Sequence, residues 1–347
     1  MDTTYSKNFN TAKKHHLKFW DRNGMVLVIR LPVQLNSTNS YSMEYLHTNV
    51  AGCVESAVEH LKGSIFLADT LPIVMTDYGC ISQAELLGAT PVYDTGTIWY
   101  NPFIHDAWEG ELTFDRNHKF WLFLEETAAR IKDYDIPELY ISTSGYSPGL
   151  DCLGALRGTE NLLYDLIDRP CWVHSMMRQI TDTYKEIYNL TYDMTKDADG
   201  HSSFGYFNIW GKGRTTQMQC DISGMLSAAS FNEFQLPYFI ECCELHDNTL
   251  YHLDGPQALH HLDALLSVST LSAVQYTPVG IPGSDPSLYP IYYKILSAGK
   301  AVQVVNVEID EIESLLGAIG TKGVFLTLRT QIYEEALHAV EIVESLR

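Results

Sequence analysis

Hydrophobic positions in the last hundred residues alternate between two rhythms. Short runs rich in β-branched and aromatic residues, Thr249 to Leu253, Leu271 to Tyr276, Ala301 to Val305 and Gly323 to Thr327, predict strands. Between and after them, Ala258 to Leu266, Leu288 to Ala298, Glu311 to Ile319 and Thr330 to Leu346 have the length and spacing of helices. Gly299 ends the second of these, because glycine takes the left-handed C-terminal position without strain. Strand runs that lack a polar alternate predict parallel strands buried on both faces, with the helices packed outside.

Upstream the pattern is sparser. Ser230 and Glu233 have capping-box spacing and predict a helix starting near Phe231, with a kink or break at Pro237. Pro170 to Thr195 predicts a long helix and Phe204 to Ile209 the strand after it. Met25 to Leu31 predicts the first strand and Glu55 to Leu61 a helix, while Tyr78 to Glu109, rich in Gly, Pro and aromatics, predicts long loops. No linker, low-complexity tract or short repeat divides the chain. The expectation is a (β/α)8 TIM barrel, one α/β domain over residues 1–347 with elaborated N-terminal loops.

Composition narrows the class. Of 347 residues, 46% are apolar and 19% charged, enough for a large core. A net charge of -20 argues against nucleic-acid binding, which needs clustered Lys and Arg. No apolar stretch approaches the roughly 20 residues of a membrane span, and the polar start Met1 to Lys14 lacks a signal-peptide core, so a cytoplasmic location is expected. The seven dispersed cysteines read as reduced thiols. Asn36-Ser37-Thr38 and Asn189-Leu190-Thr191 match the glycosylation sequon but carry no weight without a secretory signal.

Barrel chemistry gathers at the C-terminal strand ends, so those ends form the search list. His252 and Asp254 flank Leu253 and share one side of a strand that Gly255-Pro256 stops. Two ligand-type side chains would converge there; the structural alternative is a core histidine and a helix cap. Asn208 and Trp210 end the preceding strand, and Gln217, Gln219, Cys220 and Asp221 follow in a loop-like segment. Cys220 could join His252 and Asp254 on zinc, or serve as a small hydrophobe. Gln275-Tyr276, Asn306 and Arg329 end the next three strands and Arg30 the first, as substrate-binding candidates. Asp69 and Asp77 are acid/base candidates, Asp69 ranked ahead. Tyr78, Trp99, Tyr100, Trp108, Tyr146 and Trp210 could wall an apolar pocket. Cys242-Cys243 and His260-His261 lie on helices and are read as core, and Gly211-Lys212-Gly213-Arg214 lacks the spacing of a phosphate loop.

The order of these features resembles the uroporphyrinogen decarboxylase superfamily, which includes cobalamin-dependent methyltransferases. The strongest stretch runs from Asp221-Ile222-Ser223-Gly224-Met225-Leu226-Ser227 through Phe231, Phe234 and Leu236-Pro237-Tyr238 to Tyr251-His252-Leu253-Asp254-Gly255. Weaker echoes are Pro148-Gly149 through Glu160-Asn161-Leu162-Leu163, Asp168-Arg169-Pro170 and Ala298-Gly299-Lys300. The resemblance implies a (β/α)8 barrel with its pocket at the C-terminal mouth. The family's decarboxylases hold carboxylates with paired arginines; Arg30 matches the first, but Gln34 stands at the second, and Leu328-Arg329-Thr330 replaces a late Gly-His-Gly element. Its zinc methyltransferases use His-x-Cys and a distant Cys, where this chain has His252-Leu253-Asp254 and no later Cys.

The leading expectation is therefore methyl transfer from a small methylated ether or amine to a corrinoid carried by a separate protein. His252 and Asp254 bind zinc in that scheme, and Cys220 or Asp221 completes the shell. Alternatives are a metal-free decarboxylase or lyase, with Asp69 or Asp221 as acid/base and Arg30 or Arg329 on a carboxylate, and a non-catalytic small-molecule-binding barrel. A homodimer is the candidate assembly.

Overall fold

The computed structural model describes residues 9–32, 41–106, 108–134 and 138–347. Gln34 and the Asn36-Ser37-Thr38 sequon lie outside them. Thirteen strands are formed among the described residues: β1 (Met25–Pro32), β2 (Ser64–Ala68), β3 (Ile73–Val74), β4 (Thr90–Asp94), β5 (Thr97–Asn101), β6 (Tyr140–Ile141), β7 (Ser202–Phe204), β8 (Ile209–Gly211), β9 (Thr215–Gln219), β10 (Asn248–Asp254), β11 (Ala273–Thr277), β12 (Ala301–Val304) and β13 (Val324–Arg329). A central sheet takes the order β2-β1-β13-β12-β11-β10-β9, parallel throughout except for β2 against β1. The protein is thus mixed α/β with a parallel central sheet.

The apolar strand runs resolve into two faces once alternation is applied. Leu27, Ile29, Leu253, Val274, Val302, Val304, Leu326 and Leu328 share one core cluster with helix residues such as Leu265, Ile295, Leu315 and Ala339. Val26, Val28, Leu250, Ala273, Ala301 and Phe325 form the opposite layer, packed on Phe19 and Trp20 of the helix Phe9–Trp20. Two residues further along their strands, the same inner face turns polar, with His252, Gln275 and Gln303 level with one another in the register. That switch places the candidate site.

The expected barrel strands after β1 are not one continuous ladder among the described residues. The antiparallel β2 takes the edge of β1 where a second parallel strand would pair. β3 pairs instead with β6, and a bridge from Ser142 to Ser203 carries the arc to β7, whose Ser202 Oγ accepts the Thr215 amide of β9 at 2.8 Å. Backbone pairing is broken between β2 and β3 and again between β7 and β9, and the residues around the first break line a cavity of about 700 Å³.

Most C-terminal expectations hold within two or three residues, including the helices Tyr289–Ser297, Ile312–Ile319 and Tyr333–Leu346. Three readings are corrected. The Phe204 to Ile209 segment is the turn of the β7–β8 hairpin, so Gln217 and Gln219, read as loop, lie in β9, the strand that joins the sheet. The helix cap is Ser227, whose side chain accepts the Ser230 amide at 3.1 Å, while Glu233 sits 3.7 Å from His174. Pro237 does mark a break, between the helices Ala228–Phe234 and Leu236–Cys243. The Tyr78 to Glu109 segment is not all loop, since it holds the short helix Gln83–Leu86 and the β4–β5 hairpin. All seven cysteines are unpaired, and no helix among the described residues is long and apolar enough to cross a membrane.

Candidate functional site

At the C-terminal end of β10, His252 lies on the inner face and Asp254 follows on the same side. Gly255, at φ 74°, then turns the chain, a conformation that favours glycine. In the register His252 stands between Gln219 of β9 and Gln275 of β11. Asp221 comes two residues after Gln219. One ligand atom each from Asp221, His252 and Asp254 lie within 4.8 Å of one another.

Neighbouring amides orient this group. Gln275 Nε2 donates to Thr277 Oγ1 at 2.8 Å, which leaves Gln275 Oε1 facing the ring of His252 and accepting its Nδ1–H. Nδ1 is therefore the donor in this contact, which leaves Nε2 as the ring atom that could serve as a ligand. On the other side Gln217 Nε2 donates to Gln219 Oε1 and Gln219 Nε2 donates to Asp221 Oδ2, both at 2.8 Å. Phe207 lies against the His252 ring at a centroid distance of 5.2 Å.

Burial pushes the Asp221 carboxyl up; His252 opposes this, while Asp254 adds to it by like-charge repulsion. Behind Asp221, Asp151 is buried and pushed up to about 7 by loss of water and then by Asp221, despite two backbone amides that favour its ionised form. Two carboxylates and one imidazole form a donor set suited to a divalent cation such as zinc. Cys220 does not join it. The thiol packs beside Leu150, Leu153 and Phe234 and hydrogen-bonds the Asp151 carboxyl, and burial, then Asp151 and Asp221, raise its pKa well above the usual thiol range. Its neighbour Asp221 supplies the third ligand atom of the group.

The other candidates are distributed. Arg30, Tyr78 and Asn208 line the cavity between β2 and β3, away from the carboxylates. Arg30 donates to the Tyr206 carbonyl at 2.7 Å and is paired in the register with Arg329; burial and then Arg329 lower its pKa. The cavity and the centre share the Gly205–Asn208 turn, since Gly205 and Asn208 line the one and Phe207 touches His252 of the other. Arg329 is exposed at the end of β13. Asp69 is not brought to the centre: it is buried, takes the Leu27 amide at 2.8 Å, and binds His15 and Arg347. Asp77 is buried as a loop cap, accepting from Gly79 N at 2.9 Å and Ser82 Oγ at 2.5 Å. Trp210 is core, edge-on to Tyr140 and His201, and Trp99 is 56% exposed on the β4–β5 hairpin.

His260 and His261 donate to the carbonyls of Leu226 and Ser223, both at 2.9 Å, and are structural. Sequence reasoning missed Asp151, Phe207, Thr277 and Gln303. Gln303 carried a signal, a lone amide inside the apolar run Ala301–Val304. Asp151 carried none, because an acidic residue in the first turn of a helix is ordinary.

No protein-family model and no curated protein matches the chain. Among solved structures the fold is similar to that of a methyltransferase from Methanosarcina mazei, with a TM-score of 0.63 over 96% of this chain and 98% of that one, at 12% sequence identity. That likeness is one of fold.

Proposed function

We propose that the chain is an enzyme that moves a methyl group from a small methylated ether or amine to a corrinoid protein, working at the C-terminal strand ends of the central parallel sheet. The observation that carries this is the convergence of Asp221, His252 and Asp254 with His252 Nε2 left free. The fold likeness to a methyltransferase supports the same reaction class. His252 Nε2 and the two carboxylates would hold zinc, which when bound supplies Lewis acidity for the leaving oxygen or nitrogen of the methyl donor. Gln275 and Gln219 fix the direction of the imidazole and of Asp221, and Phe207 gives the centre an apolar wall.

The test is metal analysis of the purified protein with a screen of methyl donors against cob(I)alamin. Stoichiometric zinc and methylcobalamin formation are expected, both lost in His252→Ala and Asp254→Ala. A protein that takes up no zinc and methylates cob(I)alamin from no donor screened would refute the proposal.

A further inference from the structure

Asp151 lies in the first turn of the helix Leu150–Arg157, remote in sequence from the strand ends, and is 2% exposed. Its two carboxylate oxygens take two successive backbone amides, Oδ2 that of Asp221 at 2.8 Å and Oδ1 that of Ile222 at 3.0 Å. These are the first residues of the 3-10 turn Asp221–Met225 that follows β9. The same helix receives that turn a second time. A Cβ on Gly154 would lie 2.5 Å from Ile222 Cδ1, so the absence of a side chain there lets Ile222 seat against the helix. The helix start is itself held, since Gln235 Oε1 accepts the Leu150 amide at 3.0 Å.

We propose that Asp151 is a positioning residue for the Asp221, His252 and Asp254 centre. It does not contact the shared space; it fixes the backbone from which Asp221 projects, as Gln219 fixes the Asp221 side chain. Two adjacent amides donating to the two oxygens of one buried carboxyl group are directional contacts, so they define where the chain leaves β9. Outer-shell partners of this kind commonly change metal affinity 10–100-fold when removed, roughly the effect expected here. The inference rests on the metal-binding reading above.

The experiment titrates the EDTA-stripped full-length protein with Co(II), reading both the dissociation constant and the visible absorption band. Wild type, Asp151→Ala and the nearly isosteric Asp151→Asn are compared with Leu316→Ala, which removes core contacts on the distant helix Ile312–Ile319. Weaker Co(II) binding by about 10-fold or more with an altered band in the Asp151 variants, and an unaltered band in Leu316→Ala, is the expected result. Asp151 variants that lose only thermal stability, with affinity and band as in wild type, overturn this proposal alone. No Co(II) uptake by wild type overturns the metal reading and this proposal together.

Discussion

Replacing Gln275 by leucine tests whether the amide beside His252 tunes a metal ligand or only fills the core. Gln275 is fully buried, and its side chain joins His252 Nδ1 to Thr277 Oγ1. Leucine of similar volume keeps the packing and removes the acceptor that holds the Nδ1–H tautomer. His252 Nε2 is then no longer held as the free donor atom. Removing such a partner weakens metal binding about 10–100-fold, or roughly 1.4–2.7 kcal/mol. Leaving Thr277 and His252 without their partner adds a stability cost of about 1–3 kcal/mol. Gln275→Glu retains the acceptor and adds charge, so it should hold zinc at least as tightly as wild type. The assay is competition for zinc against a chromophoric chelator at neutral pH. Zinc affinity of Gln275→Leu within about twofold of wild type would contradict the assignment of His252 as an oriented ligand.

Two further outcomes follow from buried groups outside the centre. His246 Nε2 hydrogen-bonds Tyr184 Oη at 3.0 Å and the ring packs edge-on to Tyr188 at 4.4 Å; burial, then Arg214, hold its pKa down at about 3. A histidine depressed on folding stabilises the protein above its ordinary pKa and loses that contribution as pH falls towards 3. Denaturant titrations should therefore show stability falling by up to about 1.4 kcal/mol per pH unit from this group in acid, a slope that His246→Gln removes; an equal slope in that variant would place the acid sensitivity elsewhere. His47 Nε2 and Glu85 Oε2 form a 2.7 Å pair with both side chains almost fully buried. Glu85→Ala should cost about 3 kcal/mol in urea unfolding by stranding His47, and a loss below about 1 kcal/mol would show that the pair contributes little beyond packing.

The C-terminal strand–helix alternation was legible because each parallel strand there is apolar on both faces, so periodicity and turn residues mark its ends without tertiary information. His252 and Asp254 were legible for a related reason: alternation on one strand places two side chains on one side, and Gly255 ends the strand immediately after. In the early third the strand Met25 to Leu31 and the helix Glu55 to Leu61 were legible, whereas β3 was not, because it has two residues and gains its pairing only from β6, far away in the chain.

Partner choice lay entirely in the tertiary structure. Cys220 and Asp221 are adjacent in sequence and equally plausible as ligands, yet backbone geometry at the end of β9 sends the thiol into an apolar cluster and the carboxylate to His252. Asp69 looked like chemistry at a strand end, but β2 runs antiparallel along β1, which carries Asp69 back to the Leu27 amide and away from the mouth. Asp151 reaches the Asp221 turn across 70 residues. Local sequence determines which face of an element is polar and where the element stops. Which polar groups then meet depends on long-range packing, because side chains brought within 3 Å by the fold leave no periodicity in the chain.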